Sequence, residues 1–150
     1  MTDQLPEQTA VTTTGPTQIV EGFLFALRDK DYEAMRAALD DDVVYQNVGL
    51  PTIRGGQRTV NIMRRGLELS SSGFDVKIHR IAAEGTSVLT ERTDVILYGP
   101  LRIQFWVCGV FEVRDGRITL WRDYFDFLDI VKATLRGLIG IAVPSLKPGF

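Results

Sequence analysis

Two strand-like stretches carry charged residues where apolar ones belong. In S-V-L-T-E-R-T-D-V-I-L-Y, residues 87–98, side chains two apart share a face. Arg92 and Asp94 therefore stand in one row with Val88, Thr90, Ile96 and Tyr98. In I-T-L-W-R-D-Y-F-D-F, Asp123 shares its face with Thr119, Trp121, Phe125 and Phe127, while Arg122, Tyr124 and Asp126 take the opposite parity. A third polar pair, Tyr45 and Asn47, lies two apart in V-V-Y-Q-N-V on the face of Val43. A guanidinium and carboxylates among apolar neighbours are costly to desolvate unless paired. One arginine fork can serve two carboxylates. Two such acids, close together, hold one proton over a usable pH range. That gives one acid and one base in a single pocket. Tyr45 and Asn47 could then hold a water against the base. The competing explanation is an ion network that only ties strands together.

The elements that must position these groups follow from periodicity. Residues 1–14, rich in Thr, Gln and Pro, read as a flexible arm. Ile19, Val20, Phe23, Leu24 and Leu27 predict a helix from Pro16 or Thr17 to about Asp29. Asp31 is expected to cap a second, shorter helix that the acidic turn Asp40-Asp41-Asp42 ends. Residues 43–48 read as a strand, and Gln57 to Leu69 as a third helix after the turn at Arg54-Gly55-Gly56. Four strands follow, over residues 74–83, 87–98, 101–113 and 117–127, with a hairpin signal at Asp115-Gly116. The run from Ile103 to Val113 is apolar on both parities, which predicts a strand buried on two sides. The tail, residues 127–143, reads as an amphipathic helix or flap over the open end of the sheet. The expected architecture is α+β: N-terminal helices packed into a strongly curved, mostly antiparallel sheet, rolled into a cone with a deep apolar pocket.

Composition excludes several classes. The chain has 150 residues, 45% apolar and 24% charged, which suits one globular domain over residues 15–150. Net charge is −2, and no Lys/Arg run stands out, so nucleic acid is not an expected partner. The single cysteine, Cys108, excludes an internal disulfide and is expected as a buried, inert thiol. His79, the one histidine, alternates with Asp75 and Lys77 and is expected at the surface. There is no H-E-x-x-H and no G-x-S-x-G, so zinc hydrolase and α/β-hydrolase mechanisms lack support. The tail is too short and too charged for a membrane span. The polar, acidic N-terminus without an apolar run predicts a cytoplasmic protein.

The segments V-Y-Q-N-V-G-L-P, T-E-R-T-D-V-I and W-R-D-Y-F-D, in this order and spacing over about residues 17–140, resemble the limonene epoxide hydrolase family. The resemblance implies a curved six-stranded sheet with N-terminal helices, a homodimer, and direct opening of an epoxide by water with no cofactor, metal or covalent intermediate. By motif, Asp123 with Tyr45 and Asn47 would bind and deprotonate the water. Asp94 would donate a proton to the epoxide oxygen, and Arg92 would bridge the aspartates. The bulky apolar lining points to a small lipophilic epoxide of terpenoid, fatty-acyl or sterol-like character. Two alternatives stay open on the same fold. One is a ketosteroid-isomerase-like or dehydratase-like enzyme with Asp123 as base and Tyr45 as oxyanion donor. The other is a non-catalytic lipid-binding module with the tail as its lid.

Overall fold

A computed structural model describes residues 14–150; the expected arm, apart from Thr14, lies outside the described residues. Helix α1 (Pro16–Asp29) begins where proline fixes the first turn and Gln18 Oε1 accepts the Gly15 N–H at 2.9 Å. It buries Val20, Phe23, Leu24 and Leu27, the stripe that the spacing predicts. It stops at Lys30, whose left-handed backbone (φ 58°) returns its N–H to the carbonyls of Ala26 and Leu27. Helix α2 (Tyr32–Ala38) is capped by Asp31, which accepts the Ala34 N–H at 3.0 Å.

Strand β1 (Leu39–Asn47) follows α2 without a turn. The acidic run is therefore extended backbone, not the expected turn. Arg36 and Arg117 lie against Asp40 and Asp41 and offset the charge there. A two-residue strand β2 (Ile53–Arg54) pairs antiparallel with β1, and helix α3 (Gly56–Leu67) comes next. Then run β3 (Ser72–Glu84), β4 (Ser87–Tyr98), β5 (Leu101–Arg114), β6 (Arg117–Tyr124) and helix α4 (Phe127–Ala142). The sheet order is β2-β1-β6-β5-β4-β3, with β1–β6 its parallel pair. Irregularities between Ile78 and Arg80, and between Glu112 and Val113, interrupt the ladders where the sheet curves. The expected six-stranded, mixed, curved α+β fold is what forms, and the sheet does not close on itself.

One row of the register positions the chemistry. Thr90, Gly109, Asp123 and Asn47 stand side by side across β4, β5, β6 and β1. Phe111, Trp121 and Tyr45 stand side by side toward α1. Phe23 meets Trp121 edge-on at 4.9 Å, and Tyr45 stacks on the same indole at 4.0 Å.

Three expectations need correction. Cys108 is exposed, not buried. It shares the outer parity of β5 with Trp106, which is 48% exposed, so that strand is not buried on both sides. Strand β6 ends at Tyr124, because Asp126 caps α4 by accepting the Leu128 N–H at 2.8 Å. Phe127 is thus an exposed helical residue, not a neighbour of Asp123 on the strand. The tail does form a helix. β6 stops opposite Cys108, and α4 packs beside the rest of β5, where small residues Ala133 and Gly137 let it approach. His79 is at the surface as expected, stacked on Trp106 at 4.6 Å and hydrogen-bonded to Thr93 at 2.8 Å. No helix among the described residues is long and apolar enough to cross a membrane.

Candidate active site

The parity argument places Arg92, Asp94 and Asp123 inside, and all three are buried there. Arg92 is fully enclosed. Its Nε donates to Asp94 Oδ1 at 2.8 Å and its Nη2 to Asp94 Oδ2 at 3.2 Å. Nη2 also reaches Asp123 Oδ2 at 2.7 Å. Nη1 donates to the Thr90 hydroxyl at 3.1 Å. The guanidinium crosses from β4 to β6 over Gly109, and only the missing side chain there leaves room for it. A Cβ at Gly109 would lie 2.3 Å from Arg92 Nη1.

The two carboxylates are not equivalent. Asp123 Oδ2 accepts from Arg92 and also from Trp121 Nε1 at 2.9 Å. Both are donor-only groups, which favour an ionised acceptor. Asp123 Oδ1 is buried and has no hydrogen-bond partner among the described residues. Among the described residues Asp94 accepts from Arg92 alone, and it shares the Nη2 donor with Asp123. Burial raises its pKa to about 6, against the pull of Arg92, and the Asp123 charge adds to the rise. Burial also raises Asp123, opposed by Arg92 and the Trp121 indole. Burial disfavours the Arg92 charge, yet the two aspartates outweigh it and hold the guanidinium protonated. Two carboxyls, both raised by burial and set on one guanidinium, favour one shared proton over two ionised acids.

Tyr45 and Asn47 come from β1, brought alongside β6 by the parallel pairing. The Asn47 amide donates to the Tyr45 hydroxyl at 2.7 Å. Burial, and then the nearby Asp123 charge, hold the Tyr45 phenol well above its ordinary pKa, so it stays a donor. Tyr45, Asn47, Asp94 and Asp123 all line one cavity of about 430 Å³. Arg92 does not line it; it stands behind the two carboxylates. Leu27, Met63, Leu67, Phe74, Phe105, Phe125 and Ile130 supply the apolar wall. The sequence reading thus found the charged set. It missed Trp121, whose position two before Asp123 was the available signal, and the pair Thr90 and Gly109.

A second concavity, about 490 Å³, lies between α2 and α3 and is lined by Arg36, Arg64 and Arg117. Its cations are already engaged, Arg36 and Arg117 near Asp41 and Arg64 with Glu68 at 3.4 Å. These pairs are solvated structural contacts, unlike the dry cluster around Arg92.

Residues 14–136 match the family model of the limonene-1,2-epoxide hydrolase catalytic domain. The chain belongs to the limonene epoxide hydrolase family. The match covers every residue of the Arg92 cluster, and an epoxide hydrolase of this family is what the motifs predict. The chain is similar to epoxide hydrolase EphG of Mycobacterium tuberculosis, at 62% identity over 128 residues, 85% of each protein. It is also similar to the structure of an M. tuberculosis LEH-like epoxide hydrolase, with TM-score 0.86 and 58% identity, covering 90% of this chain and 95% of that one. An NTF2-like protein of Cytophaga hutchinsonii matches with TM-score 0.64 at 21% identity, over 77% of this chain and 94% of that one, and shows the fold alone.

Proposed function

We propose that this member of the family adds water to a lipophilic epoxide in one step, giving a vicinal diol by paired acid and base. The observation that supports it is the joint anchoring of Asp94 and Asp123 on Arg92 at the wall of an apolar cavity. Asp123 Oδ1, free of other partners among the described residues, takes a proton from water held by Tyr45 and Asn47. The water oxygen bonds to an epoxide carbon as the ring C–O bond breaks. Asp94 delivers its proton to the departing oxygen. One diol hydroxyl keeps a water hydrogen and the other takes the Asp94 proton, so the pair is left with its one proton on Asp123, which must return to Asp94 before the next cycle. Ring strain helps, but an alkoxide leaves poorly, so base and acid acting together each contribute about 10²–10⁴-fold. The apolar wall excludes bulk water, so the bound water reacts. The lining suits terpenoid, fatty-acyl or sterol-like epoxides. Enone isomerisation, the competing reading, needs neutral donors, whereas Arg92 here serves two carboxylates.

A single turnover in heavy-oxygen water tests the step count. Label is expected in the diol from the first turnover. First-turnover diol carrying an unlabelled oxygen from the protein would mean an ester intermediate and overturn the proposal.

The pH profile follows from Asp94. Its carboxyl, raised to about 6, must be protonated to act, so kcat/KM is expected to fall as pH rises through about 6. Substrate in the cavity displaces water and further favours the neutral acid, so the alkaline limb of kcat should lie at higher pH than that of kcat/KM. Coincident limbs, or a rise across this range, would contradict the role of Asp94.

A homodimer belongs to the same proposal. Leu128, Val131, Leu135, Leu138 and Ile139 leave an apolar stripe exposed on α4, a patch uncommon on monomers. Size-exclusion chromatography at micromolar concentration is expected to give a dimer, and a monomer would refute it.

A further inference from the structure

Helix α3 presents a ridge to the cavity with a gap in it. Ile62, Gly66 and Leu69, spaced by four and three, fall on one side of the helix and its first residues beyond, and all three line the cavity. Ile62 and Leu69 are bulky and partly exposed at the rim. Gly66 between them offers no side chain. Nothing in the backbone asks for glycine there. Gly66 is not among the residues with positive φ, and a Cβ at this position would meet no heavy atom within 4 Å. Its carbonyl accepts the Ser72 hydroxyl at 2.8 Å, which any residue could do. Helix propensity argues against glycine at such a place. Ile96 and Tyr98 of β4 line the same cavity and are likewise exposed.

We infer that Gly66 is a specificity-determining position. Its missing side chain opens a slot between Ile62 and Leu69 in the cavity that Ile96 and Tyr98 also line. The slot admits the apolar body of a long-chain or polycyclic substrate, distant from the epoxide carbons at Asp94 and Asp123. This rests on the hydrolase reading above for the chemistry, but the slot itself is a property of the cavity. A compact epoxide, seated wholly at the aspartates, does not use it.

The test compares the parent with Gly66→Leu, Gly66→Ala and Gly22→Ala. Gly22 is the control, an exposed helical glycine that also has open space around it but does not line this cavity. The substrates are a six-membered-ring epoxide and a long-chain cis-epoxy fatty acid. Gly66→Leu is expected to lower kcat/KM for the long substrate about tenfold or more, through KM, and to leave the compact one within about twofold. Gly66→Ala and Gly22→Ala are each expected to raise Tm by about 2 °C. Equal effects on both substrates, no effect on either, or a lower Tm for Gly66→Ala would overturn the inference. Should the parent turn over neither epoxide, the hydrolase reading fails separately. The slot is then judged by a fluorescent long-chain fatty acid, which the parent must bind about tenfold more tightly than Gly66→Leu. No binding by the parent, or equal binding by both, overturns it.

Discussion

Asp94→Asn and Asp123→Asn should each cut turnover by at least about 10²-fold while the protein stays folded. The amide is close in shape to the carboxylate it replaces. At position 123 its carbonyl can accept from both Arg92 Nη2 and Trp121 Nε1, as Oδ2 does now, and its NH2 takes the place of Oδ1. The cost in stability is then that of a weakened charged hydrogen bond, about 1–3 kcal/mol. The activity costs differ between the two. Asp123→Asn removes the base, and it also removes the charge that helps keep Asp94 protonated. Burial still raises the Asp94 carboxyl, but without the Asp123 charge it titrates lower, so less of it is protonated to act as acid. Asp94→Asn removes the acid alone and leaves Asp123 ionised on its two donors. Asp123→Asn should therefore be the more damaging change, and the double variant should be little worse than Asp123→Asn, because the pair acts as a unit. Single-turnover rates beside melting curves decide it. Normal turnover by either variant, with a substrate that the parent accepts, would remove the carboxylate pair from the mechanism.

The charged set was legible in the sequence because strand parity is a strict rule. Asp123 falls on the parity of Trp121, and Asp126 does not; the structure buries the first and uses the second as a helix cap. Helix α1 was legible for a similar reason, since its stripe fits a 3.6-residue period. Parity fails where both faces are apolar. Residues 103–113 gave no sign of which face was the core, so Cys108 was placed inside when it lies outside with Trp106. Asp40-Asp41-Asp42 read as a turn because the partners that make a strand tolerable there, Arg36 and Arg117, are set by the fold, and Arg117 lies far along the chain. The pairing of β1 with β6 was not readable either, and on it depends the meeting of Asn47 with Asp123. A two-residue strand such as β2 carries no period at all.

Gly109→Ala is expected to be among the most damaging single methyl additions in the chain. A glycine inside a strand ordinarily costs about 0.5–1 kcal/mol relative to alanine, so with open space the change would stabilise. Here the sign reverses. The new Cβ would lie 2.3 Å from Arg92 Nη1, 2.6 Å from Thr90 Oγ1 and 3.0 Å from Asp123 Oδ1. Arg92 cannot swing aside, since it is fully buried and held by Asp94 and Asp123. Either it leaves Asp123 or β5 shifts against its neighbours. The first outcome strands a buried carboxylate, at about 3–5 kcal/mol. For a chain of this length that is a fall in Tm of about 10 °C. Activity should drop by about 10²-fold or more, since the acid and base lose the group that sets their spacing. Removing the guanidinium first relieves the clash. In an Arg92→Leu background the same alanine should cost little further, a coupling of about 2 kcal/mol or more between adjacent rows of β4 and β5. A Gly109→Ala protein that melts at or above the parent, with full turnover, would show that Arg92 does not cross β5 at this residue and that the two aspartates are joined by some other route.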